Sequence, residues 1–403
     1  MLLERVGAIM IQRPEYMERL INAKDKEIIK VITGVRRSGK STIMKMFRDY
    51  LLNTRIESDQ IQYLNMEIIS DLELYNFKKL YDFLDSRLVT GKNNYIFLDE
   101  IQLVDNFEKT INSLFAKGNA DIYITGSNAH MLSGELATLL SGRYIELHVL
   151  PLSFKEYYSF VLGEKTEAFQ KYLDGGGFPY SLQIDDVRTY NDYITGIINT
   201  VLLKDVLARN KRGDALLVEQ LAKFLASSAG NFITMKKIVD TLVSYGQKTT
   251  SETVSSYLVS LIESFLFYRC DRYDISGKKY LSTNSKYYSV DTSLKTALVG
   301  NRRLNLGSRL ESIVYIELKR RGYEIYVGTT NNYEVDFIAI KDGVTEYYQV
   351  SLTVMDDNTY DREVRSLLEI KDNYRKILLT QDLGYYNDNG IEQINVIEWL
   401  LEE

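Results

Sequence analysis

The feature that most restricts how this chain can fold is a loop of eight residues, Gly34-Val35-Arg36-Arg37-Ser38-Gly39-Lys40-Ser41. A β-branched run from Ile28 to Thr33 precedes it, and Ile43, Met44, Phe47 and Leu51 follow at helical spacing. This is a full phosphate-loop pattern in the strand-to-helix setting that such a loop requires. Gly34 and Gly39 let the backbone curl so that successive N–H groups face a phosphate chain. The helix that follows adds the positive end of its dipole. Lys40 would reach the outer phosphates and the Ser41 hydroxyl would bind magnesium, with Val35, Arg36, Arg37, Ser38 and Thr42 completing the cradle.

A site of this kind needs an acid at the end of a neighbouring strand. The segment "NNYIFLDEIQ" supplies it: Tyr95 to Leu98 are apolar, and Asp99 and Glu100 follow. Asp99 would orient the magnesium and Glu100 would polarise the attacking water. The bland alternative is a pair of solvated carboxylates opening a loop. A third apolar strand, "DIYITGSN", ends in Thr125, Ser127 and Asn128. Ligands of an open parallel sheet lie beyond the carboxyl ends of its strands, which puts Ser127 or Asn128 beside the outermost phosphate unless they merely form a turn. Arg143 stands between a helical pattern and another apolar strand. It reads either as an arginine finger, in its own subunit or a neighbour's, or as a surface ion-pair partner.

In that order and at those spacings, "GVRRSGKST", "IFLDEIQ", "ITGSNAHMLSGEL", "LSGRYIEL" and "LPLSFKEY" resemble the prokaryotic AAA-type ATPases that carry a C-terminal domain of unknown function. The resemblance covers almost the whole chain. It implies a P-loop sheet with helices on both faces over residues 1–160, ATP and Mg2+ as ligands, and ATP hydrolysis as the reaction. Assembly into a homo-oligomer follows from the AAA-type analogy. The resemblance implies little about biological role.

At 403 residues the chain is too long for one ordinary core, and about two to three domains are expected. No apolar run approaches the roughly 18 residues of a membrane helix, so a cytoplasmic protein with no membrane partner is expected. A lone cysteine, Cys270, excludes an internal disulfide and a cysteine-rich zinc site. His130 and His148 are too few for a three-histidine metal site and read as structural. The net charge of −6 argues against a chain built wholly to bind nucleic acid.

Residues 161–215 read as a helical connector interrupted by "DGGGFPYSL", whose glycines and Pro179 cannot continue a helix and suggest a linker or hinge. Residues 216–300 show three short helical patterns, with Gly230 and Gly246 as stops, then a hairpin around Ser276-Gly277-Lys278. Three helices and a two-stranded wing make a winged helix. Lys278 and Lys279 at its tip, with Arg269 and Arg272 behind them, suit phosphate contacts to double-stranded DNA. The third helix has no lysine or arginine from Thr250 to Phe265, so docking on the ATPase core or on another protein is the competing reading.

Residues 301–403 read helix, three strands, helix, strand, an order that resembles the restriction-endonuclease-like fold. Active members of that fold carry a glutamate on the first helix, an aspartate on the second strand and Glu-x-Lys on the third. Glu311 and Asp336 match, but Gln349 and Ser351 stand where the second acid and the lysine belong, so the domain is expected to be catalytically inactive. The expected fold class is therefore multidomain α/β: an AAA-type P-loop sheet, a winged helix and a nuclease-like domain. The expected function is ATP hydrolysis that repositions the later domains, with a nucleotide-gated DNA-binding switch of little turnover as the alternative and an ATP-dependent nuclease as a third reading that Gln349 and Ser351 speak against.

Overall fold

The computed structural model describes residues 11–128, 140, 142–207, 213–277, 279–300, 306–330 and 332–402, without the side chains of 279–283. The chain divides into two compact units between Val149 and Leu150.

In the first unit, β1 (Ile29–Thr33), β2 (Ile61–Asn65), β3 (Asn94–Asp99), β4 (Ala120–Thr125) and β5 (Tyr144–His148) form a parallel sheet in the order β2-β3-β4-β1-β5. β1 and β3 are buried along their whole length, as parallel strands covered on both faces must be. Alternation along each strand supplies two cores. On one face, α1 (Pro14–Ala23) and α2 (Lys40–Asn53) pack Tyr16, Leu20, Ile43 and Phe47 against Ile32, Phe97 and Tyr123. On the other, α3 (Phe77–Asp85) and α4 (Phe107–Ala116) pack Leu80, Leu84, Ile111 and Leu114 against Val31, Ile96 and Ile124. Each such side chain contributes about 1.5–3 kcal/mol by burial, which fixes the ends of β1, β3 and β4 side by side. The expected sheet with helices on both faces is present.

The second unit begins with α5 (Phe154–Val161), α6 (Lys165–Gly175) and α7 (Val187–Thr200). The glycine run after α6 is not a loose linker. Gly176 has φ +71°, and a Cβ there would lie 1.8 Å from Asp291 Oδ1. The Asp291 carboxylate accepts the Gly177 N–H (2.6 Å) and caps α11 (Thr292–Val299) by accepting the Ser293 N–H (2.9 Å). The run is a packed turn, built to admit a buried carboxylate where any side chain would collide.

Three helices follow where they are expected: α8 (Ala215–Ser227), α9 (Met235–Ser244) and α10 (Ser251–Glu263). The hairpin of β6 (Phe267–Asp274) and β7 (Lys279–Ser289) comes next. Helix α12 (Leu306–Arg320) leads into β8 (Glu324–Thr329), β9 (Glu334–Lys341) and β10 (Val344–Val350). Helix α13 (Asp357–Glu369) and β11 (Arg375–Thr380) complete the order that the sequence suggests.

Two features depart from the sequence reading. The hairpin does not stand apart as a wing, because β6 pairs in parallel with β8 over Arg272–Asp274 and Val327–Thr329. With β12 (Tyr386–Asp388) and β13 (Ile391–Asn395), one eight-stranded sheet results, in the order β12-β13-β11-β10-β9-β8-β6-β7, and residues from Leu150 onward form one compact unit. An isolated hairpin leaves two open edges, and this pairing satisfies one of them. The chain also continues past β11 with β12 (Tyr386–Asp388), an Asn389-Gly390 turn in which both residues have positive φ, β13 (Ile391–Asn395) and α14 (Val396–Leu401). Among the described residues no helix is long and apolar enough to cross a membrane.

Candidate functional site

The chain turns as soon as β1 ends. Gly34 has φ +139°, and a Cβ there would lie 2.1 Å from the Val149 carbonyl oxygen, so only glycine fits. Arg37 and Gly39 also adopt positive φ, 67° and 102°. Helix α2 starts at Lys40, and the Gly39 carbonyl accepts its first bond from the Ile43 N–H (2.9 Å).

Lys40 is 4% exposed. Its ammonium donates to the carbonyls of Gly34 (2.9 Å) and Val35 (3.2 Å) and stands 3.9 Å from Glu100 Oε1. Two carbonyl dipoles and the Glu100 carboxylate hold the buried ammonium in place. The Ser38 hydroxyl is buried without a hydrogen-bond partner, a deficit that a phosphate oxygen would fill. Arg36 pairs with Glu67 (3.1 Å), Val35 is buried, and Arg37 and Thr42 are exposed.

Asp99, fully buried at the end of β3, accepts from Thr125 Oγ1 (2.6 Å), Asn65 Nδ2 (3.0 Å), Ser41 Oγ (3.1 Å) and the Tyr63 hydroxyl (3.2 Å). Burial, reinforced by the Asp99 charge, pushes the Tyr63 hydroxyl up and keeps it a donor. The Ser41 hydroxyl and the Asp99 carboxylate are hard oxygen donors side by side, which suits magnesium.

Glu100 has φ +56° and ψ 45°, a left-handed conformation that costs a non-glycine residue about 1–3 kcal/mol. Its N–H donates to Thr125 Oγ1 (2.9 Å), and its Oε2 accepts from Gln102 Nε2 and from Ser127 Oγ (3.2 Å). The turn leaves Oε1 as the oxygen nearer Lys40.

Lys40, Ser41, Asp99 and Glu100 therefore converge as the sequence suggests. Thr125 and Ser127 arrive too, donating to Asp99 and Glu100 respectively. Asn128 is buried just beyond them. Arg143 does not arrive. It is exposed, its carbonyl accepts the N–H of Ile29 (2.9 Å), the first residue of β1, and its guanidinium lies 5.9 Å from the Phe115 ring centroid. The length of β1, about 16 Å at the usual strand rise, separates it from the loop, so it is not a finger for its own chain's nucleotide. His148 Nδ1 lies 2.9 Å from the Thr33 hydroxyl, a structural pairing. His130 and Lys278 lie outside the described residues, and of Lys279 only the backbone is described.

Sequence reasoning missed Tyr63, Asn65 and Gln102. The first two reach Asp99 because β2 pairs with β3 in the register Asn65 to Asp99, and nothing local to either strand announces that neighbour. Gln102 was within reach of inspection, two residues beyond Glu100.

In the second unit Glu311 and Asp336 share one cluster, bridged by Lys286. Gln349 Nε2 donates to Glu363 Oε2 (2.9 Å) while its Oε1 accepts the Asp336 N–H (3.3 Å), and the Ser351 hydroxyl donates to the Thr353 carbonyl (3.1 Å).

Family models match two stretches: an AAA domain over residues 26–158 and a Domain of unknown function (DUF8612) over residues 166–305. An uncharacterized protein of Haemophilus influenzae is 41% identical over 405 residues, covering 98% of this chain and 99% of its own. An uncharacterized protein of Methanocaldococcus jannaschii is 30% identical over 391 residues, covering 91% and 84%. Among solved structures, a Walker-type ATPase of Pyrococcus abyssi superimposes with a TM-score of 0.51 at 16% identity, covering 72% of this chain and 95% of that one, a likeness of fold alone.

Proposed function

Because this chain belongs to the family of those Haemophilus and Methanocaldococcus proteins and carries an AAA domain, we propose that it binds ATP with magnesium and hydrolyses it to ADP and phosphate. The observation that carries this reading is the meeting of Lys40, Ser41, Asp99 and Glu100 at the carboxyl ends of β1 and β3. On binding, Lys40 exchanges its carbonyl contacts for phosphate oxygens, and the loop N–H groups with the start of α2 hold the phosphate chain. Ser41 and Asp99 would hold the magnesium ion, whose charge offsets that of the phosphates. Glu100 accepts a hydrogen bond from the attacking water through Oε1, while Gln102 and Ser127 hold Oε2 and so aim the carboxylate.

Nucleotide binding and turnover in Lys40→Ala and Glu100→Gln test the assignment. The first should lose binding and the second should bind without hydrolysing. Wild-type turnover in both would remove it.

The nucleotide state would act by repositioning the second unit. There α8 to α10 with β6 and β7 keep the element order of a winged helix, and α12 to β11 keep that of a restriction-endonuclease-like domain. Arg143 would serve a neighbouring copy's nucleotide in a homo-oligomer. A specific ATPase rate that rises with protein concentration and falls in Arg143→Ala tests this. Repeating the assay with and without double-stranded DNA tests for coupling to that partner.

A further inference from the structure

Strand β7 sends Lys286 among three carboxylates. Its Nζ lies 2.6 Å from Glu334 Oε1, 3.0 Å from Glu311 Oε1 and 3.9 Å from Asp336 Oδ1. The residue is 1% exposed although β7 is an edge strand. Its partners stand on α12 and β9, so one ammonium ties the hairpin to the helix and the sheet. Other donors complete the arrangement. Glu311 Oε1 also accepts the Tyr288 hydroxyl (2.7 Å), and Asp336 Oδ2 accepts the Val350 N–H (2.9 Å). Glu311 Oε2 packs where a Cβ on Gly230 would lie, 2.7 Å away.

Buried carboxylates that face one another need a cation between them, and a divalent ion or an ammonium meets that need. Here the ammonium already stands between Glu311 and Asp336, the two residues that match the metal-binding acids of the nuclease-like pattern. We propose that Lys286 is a built-in cation that takes the place of a divalent metal in this cluster, holding it together and closing it to metal-dependent phosphodiester cleavage.

The charges are consistent with this arrangement. Burial, then the neighbouring charge of Glu311, pushes the Asp336 carboxyl well up. Burial opposes the charge on Lys286, but Glu311, Asp336 and Glu334 outweigh it and keep the lysine protonated. The third acid, Glu334, has a side chain 39% exposed. The positive charge absent just past β10, where Ser351 stands, has thus come from another strand, and it is consumed by the carboxylates instead of facing a phosphate.

The experiment is Mn2+ binding to the full-length, nucleotide-free protein, read by water-proton relaxation. It compares wild type, Asp336→Asn, Lys286→Ala and the double variant Lys286→Ala/Asp336→Asn. Binding at the phosphate loop is common to all four and cancels. Lys286→Ala should gain one Mn2+ site that the double variant loses, and Mn2+ should raise its Tm by more than that of wild type. Wild-type binding that Asp336→Asn removes would overturn the proposal, because the lysine would then be a companion of a metal. A folded Lys286→Ala without a new site would overturn it equally. If the alanine variant does not fold, Lys286→Met, which keeps most of the side-chain volume, takes its place under the same two outcomes.

Discussion

Lys40 in the first unit and Lys286 in the second are both buried lysines beside acids, and their surroundings give them opposite uses. Lys40 is held by two backbone carbonyls, with its acid, Glu100, 3.9 Å away. Lys286 has carboxylate oxygens at 2.6 and 3.0 Å. A carbonyl dipole stabilises an ammonium but leaves its net charge for an incoming anion, whereas a carboxylate in contact cancels it. Lys295, on α11, marks the third case. It is 3% exposed and donates to the Ser308 hydroxyl, and burial, then the Arg309 charge, push its pKa down to about 8. What surrounds a lysine, rather than its burial, decides whether it recognises, cross-links or is strained.

The largest expected effects separate the first two cases. Glu100→Gln should lower ATP turnover by about 10²–10⁴-fold with nucleotide affinity kept, and Lys40→Ala should lose affinity as well. Binding of a fluorescent ATP analogue alongside phosphate release distinguishes the two. Lys286→Met leaves its carboxylates unpaired and should cost about 3–5 kcal/mol of unfolding free energy, read from urea titrations. Its ATP turnover should stay at the wild-type level, and a turnover loss in the folded variant would break the contrast between the two lysines.

A smaller effect sharpens the picture of the first site. Gln102→Leu removes one of two donors to Glu100 Oε2 and should lower kcat about tenfold with KM unchanged, since the carboxylate's aim matters only as water attacks. An equal loss in KM would show that Gln102 supports the loop instead.

The smallest effect concerns Lys295. Its folded pKa of about 8 lies below the ordinary value of 10.5, so between these the unfolded chain binds more protons and stability rises with pH. The lysine's penalty is full below about pH 8 and fades as pH climbs toward 10.5. The stability of wild type relative to Lys295→Met should therefore increase from pH 8 to 10, measured by urea titrations at each pH. Taking the difference removes the titration of tyrosines common to both.

The phosphate loop, the acids after β3 and most element boundaries were legible in the sequence because their causes are local. A loop that passes Gly34 within 2.1 Å of a carbonyl oxygen admits one residue type, and strands covered on both faces must be apolar throughout. The β12 and β13 hairpin carried a readable Asn389-Gly390 turn, but β12 is only three residues long and fully exposed, so no apolar alternation accompanied the turn. Other features were decided by tertiary structure alone. Asn65 meets Asp99 through strand order, β6 joins β8 through a long-range pairing, and Arg143 lies at the amino end of β1, opposite the loop. Lys286 finds Glu311 25 residues away and the two acids of β9 farther still. Residue type and spacing set which conformations a segment can adopt. Whether two charges cancel depends on their separation in space, and only the folded chain sets that distance.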